Sequence, residues 1–196
     1  MNTTAQVDPE ASTADAASNR LWELEWKIQL SGLYHARRER FLDGCDKWAK
    51  FVAAIGGAAA FAQFKGDSNI GAWISAFISV ISTLSLVFGF STKARKHYDL
   101  ARDFKKLEAE LAALGRDVTD MQLDEFKKRY LLVETGEPSS LSALVTDCHN
   151  QLCKAHGIED RIAPLPFYQN WLMNFLDFDQ SDVKPISEKK SKSCWF

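Results

Sequence analysis

IGAWISAFISVISTLSLVFGF, Ile70 to Phe90, is a run of 21 residues without one charged side chain. As a helix it is about 31 Å long, which matches the hydrocarbon core of a bilayer. No charge marks a solvent-facing side, so the run reads as a membrane-spanning helix and sets the fold class.

Immediately before it stands Lys65-Gly66-Asp67-Ser68-Asn69, five residues of turn-forming chemistry. Before that turn lies a second apolar run, Phe51 to Phe64, of 14 residues. That length suits a buried core helix equally well. Extending it back to Trp48 gives 17 residues and includes Lys50, whose ammonium can snorkel to the headgroups. The expectation is a two-span helical hairpin over residues 48–90. No proline falls between Leu21 and Phe64. One long helix is therefore expected, capped by Ser18 or Asn19, cytosolic and basic over 21–47, and running on into lipid. Gly32, Gly44, Gly56 and Gly57 are its weak points.

Beyond Phe90 the helical pattern is expected to continue unbroken. Leu100, Phe104, Leu107, Leu111 and Leu114 repeat at spacings of four, three, four and three, an a/d seam, and Gly115 ends it as a C-cap. A further helix is expected from Thr119 to Val133, ended by Gly136-Glu137-Pro138, and another from Ser139 or Ser140 to Gly157. FYQNWLMNFLDF, Phe167 to Phe178, is short and aromatic, suited to packing on the helices or to a membrane interface; packing is favoured. The cytosolic helical region thus spans 91–178. Residues 1–20 and 179–196 read as disordered tails.

Basic residues set the orientation. Arg37, Arg38, Arg40, Lys47 and Lys50 precede the hairpin, and Lys93, Arg95, Lys96, Arg102, Lys105 and Lys106 follow it. The turn holds only Lys65. Lysine and arginine are retained on the cytoplasmic side, so a multi-pass inner-membrane protein with both termini in the cytoplasm is expected. The first twenty residues lack a basic region followed by an apolar run, so no signal peptide is expected. Cys194 stands one residue too late for a prenylation box.

Averages conceal this segregation. The chain has 196 residues, 26% of them charged, a net charge of −2 and a mean hydropathy of −0.23. Near-neutrality without an aromatic-interleaved basic patch argues against nucleic acid. Cys45, Cys148, Cys153 and Cys194 form no disulfide framework. Phosphate loops, nucleophile elbows and kinase signatures are all missing, so no enzyme and no cofactor is expected. One cluster holds ligand-type atoms: His149, Cys153 and His156 share a helix face, with Cys148 about 100° away. No CxxC or HExxH spacing accompanies it, so buried cysteines among polar helix residues are preferred over zinc.

Two seams suggest self-association. Ala53, Gly56, Gly57 and Ala60 cluster at small-xxx-small spacing on the first span, and the Leu100-to-Leu114 seam offers knobs in the cytosol. The alternative is that both only close the chain's own hairpin and bundle. On the second span Ser75, Ser79 and Ser82 fall within an arc of about 60°, joined by Ala72, Leu86 and Gly89. Trp73, Phe77, Val80, Ile81, Leu84 and Phe88 take the other side. The serine stripe is expected to line a narrow path gated by Leu86, or else to pack on the first helix. Ser79, Leu86, Lys93, Leu100 and Leu107 share one heptad position, so rotation of the seam would turn the stripe.

The order of YHARRERFLDGCDKWAKFVAAIGGAAAF, the hairpin, SLVFGFSTKARKHYDLARDFKKLEAELA and DCHNQLCKAHG resembles the SLATT family. These are two-transmembrane effector domains that accompany nucleotide-synthase and nucleotide-sensor modules in prokaryotic conflict systems. The resemblance covers Leu21 to Phe178, and LVFGFS (Leu86 to Ser91) and CHN (Cys148 to Asn150) are its most specific pieces. It implies an oligomeric effector in the lipid bilayer that opens a pore or disrupts the membrane on infection, arresting growth or killing the cell. With no fused sensor or synthase, the trigger would come from a separate partner protein or a nucleotide messenger. A membrane-tethered adaptor and a metal-dependent enzyme on the CHN helix are the alternatives.

Overall fold

The computed structural model describes the backbone of residues 9–63, 70–116 and 118–180, and the side chains of 16–58, 71–116 and 118–180. The five-residue turn at 65–69, Ala60's side chain and most of the C-terminal tail lie outside the described residues. All regular structure among those described is helical: α1 (Pro9–Gln63), α2 (Ile70–Phe88), α3 (Phe90–Leu114), α4 (Asp120–Glu134), α5 (Ser142–Ala155), a 3-10 turn (Glu159–Arg161) and α6 (Phe167–Leu172). One helical stretch among them, Gly71–Leu114, is long and apolar enough to cross a membrane.

Three boundaries differ from expectation. Helix α1 begins at Pro9, well before Leu21, so much of the presumed disordered tail is helical. Proline suits a first helical turn, and Ala11, Ala14, Ala16 and Ala17 are strong helix formers. The second span does not continue unbroken into α3. Gly89 separates them at φ +57, the left-handed region that glycine adopts without strain. The hydrogen-bond ladder still bridges it, from Gly89 N to Ser85 O at 3.1 Å and from Lys93 N to Gly89 O at 3.0 Å. Helix α5 begins at Ser142, because its first N–H groups have distant acceptors instead of a local serine cap. Leu141 N donates to Tyr34 Oη at 3.1 Å and Ser142 N to Asp177 Oδ1 at 2.8 Å.

Other punctuation matches the sequence. Thr119 caps α4 in a capping box with Gln122, and Gly115, at φ +73, follows the end of α3.

The chain forms two compact units: Met1–Tyr34 with Leu100–Phe196, and His35–Asp99. The first has two apolar centres. Leu24 and Ile28 of α1 meet Phe104, Leu107 and Leu111 of α3 and Leu123, Phe126 and Tyr130 of α4. Tyr34 meets Ala143, Leu144 and Cys148 of α5 and Met173 after α6. Each large apolar side chain so buried contributes about 1.5–3 kcal/mol. Arg20 joins α1 to α4 through Asp120 and Asp124, both at 2.6 Å, and Arg129 joins α4 to α3 through Glu110 at 2.6 Å.

In the second unit α1 from His35 onward lies against α2 and the start of α3. The two meet at Gly56, where an added Cβ would sit 2.5 Å from Ile78 Cδ1. Glycine here permits the backbone approach that small residues give membrane helices.

Candidate functional site

Helix α2 has three faces. Gly71, Ile74, Ile78, Ile81 and Ser85 are half-buried, and they recur every three or four residues on the side that meets α1. Ser75, Ser79, Ser82 and Leu86 are all exposed, Leu86 to 84%. Their stripe is rotated about 90° from the isoleucine face. A third face carries the bulky residues Trp73, Phe77, Val80, Leu84 and Phe88, also exposed. The serine stripe therefore does not pack on α1, and Ile81 belongs with the hairpin contact rather than the bulky face. Ser75 Oγ donates to the Gly71 carbonyl at 2.9 Å, so its hydroxyl is satisfied on its own helix.

None of the most apolar window of the Gly71–Leu114 stretch is buried within the chain. A soluble protein hides such a surface; one that spans a bilayer presents it to lipid or to another helix.

The two association seams divide. On α1, Ala53 is half-buried and Gly56 is spent against Ile78, whereas Gly57 is exposed with open space where a side chain would be. The α3 seam is internal. Leu100 (8% exposed), Phe104 (0%), Leu107 (3%) and Leu111 (1%) are buried. The last three pack against α1 and α4. Only Leu114 reaches the surface. The heptad pattern is real, but its holes are supplied by the same chain, which removes it as a free oligomer surface.

The cysteine–histidine cluster is held by contacts within the chain. Cys148 and Cys153 are fully buried. Cys153 Sγ lies 3.6 Å from His149 Nδ1, and His156 Nε2 pairs with Gln29 Oε1 at 3.0 Å. The indole of Trp26 meets the rings of both His149 and His156. Burial pushes the Cys153 thiol up and His149 down, so both favour neutral forms. Among the described residues no three His, Cys, Asp or Glu side chains gather as a metal would require. Asn150 has a role that spacing alone did not disclose. Its Nδ2 donates to the Ala163 carbonyl at 2.6 Å and its Oδ1 accepts from Ala163 N at 2.8 Å.

Sequence reasoning also missed a buried imidazole pair. His35 of α1 is 0% exposed and His97 of α3 6%, with ring centroids 5.0 Å apart. Neither residue carries a local signal, since their meeting depends on a hairpin 62 residues round. Asp46, also buried, is paired with Lys50 at 2.6 Å.

No family model, curated protein or solved structure matches this chain.

Proposed function

We propose that this chain is a two-span membrane effector whose copies assemble and open a path through the inner membrane. The observation that carries this reading is that no residue of the apolar α2 window is buried within the chain. Its isoleucine face is used on α1, which leaves a narrow serine stripe and a broad bulky face as separate surfaces. Bulky apolar residues suit lipid. Hydroxyls aligned on one stripe suit water or a neighbouring helix, because contacts between membrane helices through serine are worth only about 0.6 kcal/mol each. With no charge on the stripe, the path would be narrow and weakly selective, with Leu86 as its apolar constriction. Gly57, open on the outer side of α1, gives a neighbouring copy a close-approach point. The first span supplies the return strand of the hairpin, and eleven basic residues at the two inner flanks against one in the turn keep both termini cytoplasmic. The SLATT resemblance supplies the biological setting: a prokaryotic antiviral response in which a separate sensor or nucleotide messenger triggers growth arrest.

A cysteine introduced as Ser68→Cys should react with a membrane-impermeant thiol reagent on intact cells, and Ser187→Cys should not. Triggered expression should collapse the membrane potential. Labelling of Ser187→Cys alone, or arrest with the potential intact, would overturn the reading.

A tethered adaptor is the second reading, and α6 favours it. Phe167 (80% exposed), Trp171 (74%) and Phe175 (66%) stand at the surface although Met173 between them is buried. The expected packing of this segment is therefore partial, and an apolar patch of this kind marks an interaction surface. An adaptor would still work after its hairpin is exchanged for an unrelated one; a pore would not.

A further inference from the structure

The unit His35–Asp99 contains a groove of about 640 Å³ on the flank of α1 just before the first span. Phe41, Cys45, Ala49 and Val52 of α1 form one wall, and Ile81 of α2 and Phe90 of α3 the other. Gly44 sits in its floor, and a Cβ built there meets no other atom, so the missing side chain is what opens the groove. Trp48 stands at its edge, 67% exposed, in the manner of indoles at a headgroup boundary. Arg40 is the one charged residue of the lining. Burial pushes the Cys45 thiol up.

Charge distinguishes the occupant. Asp43 is paired with Lys47, Asp46 with Lys50 and Asp99 with Arg95, each an i,i+4 pair on its own helix. Arg40, Lys93 and Lys96 have no such partner. The whole unit holds nine basic residues against five acidic, a net charge of +4, in a chain whose total is −2. An apolar slot whose one charged lining residue is basic, in a unit of net positive charge, is complementary to an amphiphile that has an anionic head and an apolar tail.

We propose that this groove is a binding site for an anionic phospholipid, with one acyl chain lying along Gly44, Val52 and Ile81 and the phosphate on Arg40. The inference rests on the reading of α2 as a membrane span. A lipid so held would brace α1 against α2 and α3 where the chain leaves the bilayer.

The test is thermal unfolding of the full chain in detergent during titration with phosphatidylglycerol or phosphatidylcholine. The parent should gain stability from phosphatidylglycerol at lower concentrations than from phosphatidylcholine. Arg40→Gln should weaken the phosphatidylglycerol response about fivefold, the worth of one cation beside an anionic lipid, and leave phosphatidylcholine unchanged. Gly44→Leu fills the open floor and should blunt both lipids. Its fold is safeguarded because leucine is a better helix former than glycine. Equal responses to the two lipids in the parent, or titrations by both variants that match the parent's, would overturn the proposal. If the chain is recovered without detergent from the soluble fraction, the membrane reading fails, and the same titration still decides whether the groove takes a lipid.

Discussion

His35 Nδ1 and His97 Nδ1 lie 2.7 Å apart, both rings buried. At that distance one nitrogen must donate and the other accept. Burial, then the repulsion of His35, Arg38 and Lys96, holds His97 down to about 4.

The pH consequence has a definite sign. Unfolded, His97 takes a proton below its ordinary pKa of 6.5; folded, it resists until about 4. The unfolded state therefore binds more protons between those values, and stability falls as pH drops through that window. The full loss is about 3 kcal/mol at 1.36 kcal/mol per unit. Denaturant midpoints in detergent should decline from pH 7 to pH 4. His97→Asn, which keeps a donor for His35, should flatten that slope. An unchanged slope in the variant would remove the pair as its cause.

The two adjacent glycines of α1 should respond oppositely to a leucine. At Gly56 the new side chain collides with Ile78, and overpacking of this kind costs about 1–3 kcal/mol. At Gly57 it enters open space, so the fold should be kept or slightly strengthened. Gly57→Leu should instead weaken the assembly of copies, read as a smaller particle by light scattering in detergent. Comparable melting losses at both sites would show that the faces are misassigned.

How much of this was legible in advance depended on whether the signal was local. The long apolar helix over Ile70–Phe88, the Thr119 cap and the Gly115 stop each follow from the chemistry of neighbouring residues. The heptad of Leu100 to Leu111 was legible as a buried stripe but not as to partner, because apolar periodicity is the same whether the hole is on this chain or a copy. The faces of α2 were misdivided at Ile81 because isoleucine suits both lipid and a neighbouring helix. His35 with His97, and Asn150 with Ala163, were invisible for a different reason: tertiary folding brings them together.

Asn150 offers a test of the CHN segment without metal chemistry. It is 9% exposed and holds Ala163 by two hydrogen bonds, one in each direction. Asn150→Ala should cost about 2 kcal/mol, two bonds at roughly 1 kcal/mol each, and should leave the α5 helix in place. Hydrogen exchange at the Ala163 amide should accelerate ahead of the α5 core. Cys153→Ser should leave the metal content of the purified protein unchanged. A stoichiometric loss of zinc in that variant would reinstate a metal site.

The pore reading is decided on α2 by two aromatic-size changes on different faces. Ser79 is exposed on the serine stripe, and Phe77, 62% exposed, stands on the bulky face. Ser79 lies off the face that meets α1, and Phe77, which flanks a groove beside Phe51 and Ile55 of α1, keeps most of its surface free, so neither change should open the hairpin. Ser79→Phe places a ring across a narrow uncharged path. It should abolish conductance in planar bilayers, and depolarisation in cells, with the oligomer intact by crosslinking. Phe77→Leu trades one lipid-compatible side chain for another and should be nearly silent. Leu86→Ser, which removes the proposed constriction on the same stripe, should raise the resting leak. Ion currents like the parent's in both Ser79→Phe and Leu86→Ser would show that the stripe does not line the path. Loss of current only in Phe77→Leu would move the path to the bulky face.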